Sequence, residues 1–165
     1  IPMGTRSGDL DPAIVEFIAK KLNLTTSEAV NYCNKKSGML GISGVSSDFR
    51  DLQQAAKQGN HRAELALDIF AYSVKKYIGS YSAAMGGIDC LVFTAGVGEN
   101  VSLIREKVCE ELEFLGIELD LDKNAIREDG IRDLSKAGSK VKILVIPTNE
   151  ELVIARDTLK VAFAK

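Results

Sequence analysis

Asp89-Cys90-Leu91-Val92-Phe93, running into Thr94-Ala95-Gly96-Val97-Gly98-Glu99-Asn100, is the stretch that decides the fold of this chain. Its first part is short and continuously apolar after Asp89 and ends at a glycine turn, the pattern of a buried strand. Beyond the turn, Val101, Ile104, Val108 and Leu112 share one helical face, which predicts a helix over 101–115 stopped by Gly116. A glycine-rich turn from strand end to helix start is where α/β proteins hold phosphates and nucleotides: free N–H groups and partial positive charge meet a backbone that a ligand can approach. The segment has neither the Lys-Ser/Thr of a P-loop nor the third glycine of a dinucleotide fingerprint, so alone it reads more readily as a purely structural turn. If it holds a ligand, a branched side chain at Gly98 should crowd that ligand without disturbing the fold.

Working outward, residues 141–146 form a second apolar strand, ended by Pro147-Thr148-Asn149, and 150–164 read as a final helix. Short β-like pieces and polar turns fill 117–138. The first half is helical. Asp11-Pro12 is a helix start followed by the stripe Ile14, Phe17, Ile18 and Leu22. Thr25 and Glu28 have capping-box spacing. Residues 39–47 form a Gly/Ser-rich connector, with Ser46 or Ser47 capping the helix that carries Asp48, Phe49, Arg50 and Asp51 in its first turn. Residues 60–85 predict one long helix, its buried side traced by Leu65, Ile69, Phe70 or Tyr72, Val74, Tyr77, Ile78 and Tyr81. Two parallel-type strands, each followed by a helix, make an α/β domain. The strands are too few for a complete sheet, and the start at Ile1, in a polar loop, suggests a piece of a longer chain.

With 165 residues, 45% hydrophobic and 27% charged, the chain can bury one sizeable core. A net charge of −2, interspersed, argues against a nucleic-acid surface. No stretch is apolar enough for a membrane span. Cys33, Cys90 and Cys109 form no Cys-x-x-Cys pair, and the lone His61 has no ligand-like neighbour, which argues against zinc and against a disulfide framework. Cys90 in its strand and Cys109 on its helix read as buried free thiols, and these features together suggest a cytoplasmic protein.

Polar clusters recur at four junctions: 3–9, 46–50, 96–100 and 147–151. Each has an ordinary explanation. Arg6 can cap a turn, and Asp48, Glu150 and Glu151 can simply favour the positive end of their helices. Together they form a coherent set for phosphoryl chemistry: an arginine for a transferring phosphoryl group, a carboxylate after a strand for Mg²⁺, and a glycine turn that admits a nucleotide.

Met3-Gly4-Thr5-Arg6-Ser7-Gly8-Asp9-Leu10-Asp11-Pro12 resembles a signature of the acetate kinase family, as do Asn34-Lys35-Lys36-Ser37-Gly38-Met39-Leu40-Gly41-Ile42-Ser43-Gly44, residues 93–100 and residues 147–156. The resemblance runs in order along almost the whole chain. It implies an actin-like, sugar-kinase-type phosphotransferase fold, of which residues 1–165 would be the C-terminal nucleotide-binding domain, its last helix from about 150 packing toward an absent N-terminal domain. It implies reversible transfer of a phosphoryl group from ATP to acetate, giving ADP and acetyl phosphate, with Mg²⁺ or Mn²⁺. Carried over, Arg6 matches the arginine that stabilises the transferring phosphoryl group, and Asp48, Phe49 and Arg50 match a segment contacting the adenine nucleotide. Gly96, Val97, Gly98, Glu99 and Asn100 match the loop that takes adenosine, and Glu150 matches the Mg²⁺ carboxylate, with Glu151 its neighbouring candidate. The family's catalytic aspartate, substrate arginine, active-site histidine and metal-side asparagine have no match here, so the piece alone is expected to be inactive; His61 lies outside the histidine's motif. Propionate or butyrate kinase, or a non-catalytic nucleotide-binding or dimerisation module, are the alternatives. The resemblance also implies a homodimer through this domain. The 60–85 helix, with three tyrosines and several aliphatics, is a candidate for part of that interface, although most of its stripe reads as core of the monomer. No nucleic-acid or membrane partner is expected.

Overall fold

Local capping chemistry sets the first helices of the computed structural model, which describes residues 1–163. Asp11 accepts a hydrogen bond from Ala13 N and opens α1 (Pro12–Leu22). Thr25 and Glu28 exchange the reciprocal bonds of a capping box at the start of α2 (Thr26–Lys35). Asn60 caps α5 (His61–Met85) by accepting from Arg62 N and Ala63 N. Between them lie α3 (Gly38–Ser43) and α4 (Phe49–Lys57).

The sequence reading took α3 for a connector, and the correction has a physical cause. The N–H groups that a helix start leaves free are satisfied here by a remote backbone: Ser37 N donates to Thr5 O at 2.9 Å, Met39 N to Met3 O at 2.8 Å and Leu40 N to Gly4 O at 2.9 Å. Gly38 sits at φ +58°, where a Cβ would fall 2.0 Å from Met3 O, so only glycine fits. The cap of α4 is also corrected, from Ser46 or Ser47 to Asp48, which accepts from Arg50 N; Ser46 Oγ instead accepts from Asp48 N.

The second half builds the sheet. β1 (Cys90–Phe93) pairs in parallel with β3 (Lys142–Val145), Phe93 opposite Val145, and β2 (Arg132–Asp133) adds to β3 antiparallel, giving the order β1-β3-β2. Two helices follow β1: α6 (Ala95–Asn100) and α7 (Ser102–Cys109). The expected single helix over 101–115 stops early because Glu110 is extended and Glu111 takes a left-handed φ of 61°. Its stripe is nonetheless in the core: Val101, Ile104, Val108 and Leu112 are all buried. A 3-10 turn (Glu113–Leu115), then α8 (Leu121–Ala125), leads to the last strands, and α9 (Glu150–Ala162) closes the described chain; Ala164, assigned to that helix from sequence, lies outside the described residues.

Two assignments of buried faces change. β1 is an edge strand, so Phe93 is buried while Val92 is 44% exposed and Cys90 is exposed rather than a buried thiol. Cys33 and Cys109 are buried, and burial pushes the Cys109 thiol up to about 12. On α5 the buried side is Ala63, Ala66, Leu67, Phe70, Ala71, Ile78 and Ser82, whereas Leu65, Tyr72 and Tyr81 are exposed. Small residues let α5 lie close to α3, α4 and α7, so the alanines, not the largest side chains, mark the packed face.

This rotation of α5 is testable. Leu67→Ala should lower the unfolding free energy in urea by about 2–5 kcal/mol, while Leu65→Ala stays within about 0.5 kcal/mol of wild type.

Candidate active site

The β1–β3 register ends with Phe93 opposite Val145, and just beyond it the hydroxyls of Thr94 and Thr148 lie 2.8 Å apart. Thr148 Oγ1 also accepts from Ala95 N at 3.2 Å, and Glu99 Oε1 accepts from Thr148 N at 2.9 Å. The N-terminal end of α6 is thereby fastened to the turn that leads into Glu150. Ala95 holds a left-handed φ of 58°, an uncommon state for a residue with a Cβ. The segment expected as an open glycine loop is therefore a short, tied helix.

The far end of α6 is held from below. Arg105, only 2% exposed, donates from Nη1 to Gly98 O and Glu99 O, from Nε to Asn124 Oδ1 and from Nη2 to Asn124 O, all within 3.1 Å. Arg132 adds a further bond to Glu99 O at 2.9 Å. Burial, and then the nearby charge of Arg132, lower the Arg105 guanidinium to about 10, so it remains cationic at neutral pH.

Above α6 opens a cleft of about 550 Å³ lined by Asp48, Phe49, Arg50 and Gln53 on one side and Gly96, Val97, Asn100 and Arg127 on the other. Asp48 and Arg50 form a bidentate pair, with Arg50 Nη2 2.6 Å from Asp48 Oδ2. Hydrogen bonds from the Arg50 side chain and backbone hold the Asp48 carboxyl down at about 2. Phe49 does two jobs: its ring packs edge-on to Phe70, centroids 4.9 Å apart, and its outer side lines the cleft. An adjoining apolar recess of about 510 Å³ runs from Gly96 and Gly98 past Phe49 and Phe93 to Met3 and Gly4.

Thus Asp48, Phe49, Arg50, Gly96, Val97 and Asn100 share one cleft; Gly98 faces the recess and Glu99 turns to Thr148. Arg6 and Glu150 line neither cavity, and both are exposed, without a side-chain hydrogen-bond or ion-pair partner among the described residues. Each is two residues from a point of contact: Arg6 from Gly4 in the recess, Glu150 from Thr148 at α6.

The whole arrangement from residue 1 to residue 156 matches the model of the acetokinase family. The chain belongs to that family. It is 64% identical to an acetate kinase of Treponema denticola over 95% of this chain and 39% of that protein. The solved acetate kinase of Porphyromonas gingivalis superposes with a TM-score of 0.92 at 49% identity, covering 98% of this chain and 41% of the other. A propionate kinase from Francisella tularensis superposes with a TM-score of 0.86 at 41% identity, covering 95% and 40%. The chain therefore spans about two fifths of the length of the relatives it matches, and the α/β fold is theirs.

Sequence reasoning missed Arg105, Asn124, Arg127 and Arg132. For Arg105 a signal was present: it falls on the buried face of α7 beside Val101, Ile104 and Val108, where a charge needs a reason to be. The others come from a stretch with no periodicity to read.

The glycines separate ligand approach from packing. A Cβ at Gly98 would lie 3.2 Å from the Phe93 carbonyl carbon, so the fold itself restricts this position; at Gly96 nothing lies within 4 Å. Gly98→Val should destabilise the chain by about 1–3 kcal/mol. Gly96→Ala should keep or raise the melting temperature, since alanine favours a helix by up to about 1 kcal/mol, yet weaken ADP binding in a titration.

Proposed function

We propose that this chain is the nucleotide-binding, C-terminal part of an acetate kinase, a cytoplasmic enzyme that reversibly transfers the γ-phosphoryl group of ATP to acetate. The observation that carries this reading is convergence on α6. The 3–9 segment reaches it through Gly4, the 46–50 segment through Asp48 and Phe49, and the 147–151 segment through Thr148. Three polar clusters scattered along the chain thus come to the fourth, at α6, beside a strand end, where α/β folds bind nucleotides. The identity to acetate kinases, from residue 1 almost to the end, supports the same assignment. A propionate kinase is the second reading, favoured by the Francisella superposition.

In this reading the nucleoside occupies the cleft between Asp48 to Arg50 and α6. The Asp48–Arg50 pair supplies polar edges that are already neutralised, so a neutral base and ribose can enter without displacing a buried charge. Arg6, with its five N–H donors free, neutralises charge on the phosphoryl group during in-line transfer. Glu150 is the carboxylate for Mg²⁺ or Mn²⁺. No cluster of three acidic, His or Cys side chains that could cage a metal occurs among the described residues. That donor set suits a hard cation that keeps its waters and phosphate oxygens and takes one carboxylate from the protein. Such an ion, when bound, screens the phosphate charges. No described helix is long and apolar enough to cross a membrane. Tyr72, Tyr81 and Met85, each more than 60% exposed on α5, support a homodimer through this helix.

A coupled acetyl phosphate assay on the full polypeptide tests the reading; residues 1–165 alone should give no product, because alignment worth about 7–11 kcal/mol needs both sides of a cleft. Absence of product from the full polypeptide would sink it. Arg6→Ala should lower kcat by on the order of 10³-fold with little change in ADP affinity, and lysine should restore only part. Glu150→Ala should raise the Mg²⁺ concentration for half-maximal rate, with Glu150→Asp milder; if Glu151→Ala does this instead, the neighbouring residue is the carboxylate.

A further inference from the structure

Two cations line the cleft above α6, and they differ in one respect. Arg50 is neutralised by the bidentate Asp48 carboxylate. Arg127 has no carboxylate partner among the described residues and makes one side-chain hydrogen bond, from Nη2 to Asn100 Oδ1 at 3.1 Å. The rest of its five-donor guanidinium is open to the cavity or to solvent. Asn100 in turn donates from Nδ2 to Gly96 O at 2.9 Å, so Arg127 is tethered to the same helix that floors the cleft.

We propose that Arg127 is a binding residue for the nucleoside end of the ligand, its planar guanidinium lying against the purine face; this rests on the nucleotide reading above. Its place along α6 selects that end. Six helical residues span about 9 Å. Thr94 and Thr148 meet α6 at Ala95, beside Glu150, where in this reading the phosphates and their cation belong, whereas Arg127 approaches from the side of Asn100, the last residue of α6, whose amide folds back over the helix to Gly96 O. A guanidinium stacks on an aromatic face as an ammonium cannot, and an exposed tether lets it close over a base that has already entered.

The experiment is a binding titration of the full polypeptide with adenosine, ADP and ATP. Arg127→Met should weaken all three by a similar factor, ~10-fold, and raise the KM for ATP by that factor, with kcat at saturation within about twofold. Arg127→Lys should recover little, because it keeps the charge but not the plane. A loss that grows from adenosine to ATP would put Arg127 on the phosphates and overturn the proposal, and so would unchanged affinity for all three ligands. If the wild-type polypeptide binds none of them, the nucleotide reading falls and this inference with it; binding by wild type that Arg127→Met retains removes the inference alone.

Discussion

A buried guanidinium with no carboxylate partner among the described residues is the constraint around which the candidate site is organised. Arg105 sits among apolar side chains on α7 and, among the described residues, is compensated by dipoles: the carbonyls of Gly98, Glu99 and Asn124 and the side-chain oxygen of Asn124. An ion in that position is tolerated only when nearly every N–H is matched, because an unmatched one retains its full desolvation penalty. The fork therefore fixes three pieces of backbone at once. α6 cannot drift from α8, and Asn124 cannot turn, because its Nδ2 is also committed to Ser102 O at 3.0 Å. A six-residue helix has little stability of its own. Held by Thr148 at one end and by Arg105 and Arg132 at the other, α6 becomes a rigid floor.

The same logic, backbone satisfied by remote backbone, explains why clusters far apart in sequence meet. α3 exists because Met3, Gly4 and Thr5 offer it their carbonyls, and in return α3 holds the 3–6 segment in place. Ile146 N donates to Phe93 O, which extends the β1–β3 pairing to the point where Thr94 and Thr148 leave the sheet. A slip of one residue between these strands would turn Phe93 and Val145 out of the core and part the two threonines. Core packing and site geometry are thus fixed by one register.

What could be read from sequence divides along this line. Local chemistry was legible: the Asp11 cap, the Thr25–Glu28 box, the stripe from Val101 to Leu112, and both parallel strands follow from side chains within a few residues of one another. Features decided by distant partners were not. α3 looked like a connector because its caps lie more than thirty residues upstream. β1 looked buried because an edge position is a property of the sheet. The face of α5 was misjudged because size was taken for burial, whereas close helix packing had selected Ala63, Ala66 and Ala71. At the site, 48–50 and 96–100 were legible as motifs and Arg105 left a trace as a charge on a buried helical face, but the carbonyl and amide groups of α6 that Arg105, Arg127 and Arg132 hold carry no mark in the sequence.

The contrast between α6 and the terminal helices completes the physical picture. α1 and α9 bury no residue, and Phe17, Ile14, Leu152, Val153, Ile154 and Leu159 leave apolar surface open on them, while α6, also without a fully buried residue, is tied at both ends by side chains. Burial and fixation are therefore separate properties here. The core secures α5, α7 and the strands by excluding water. Hydrogen bonds to backbone carbonyls secure α6, which stays open to solvent yet is held in place, the combination that a binding surface of the kind proposed for it requires. Positioning by arginine forks, rather than by packing, is the solution that leaves Gly96 accessible and the cleft above it empty of side chains that a ligand would have to displace.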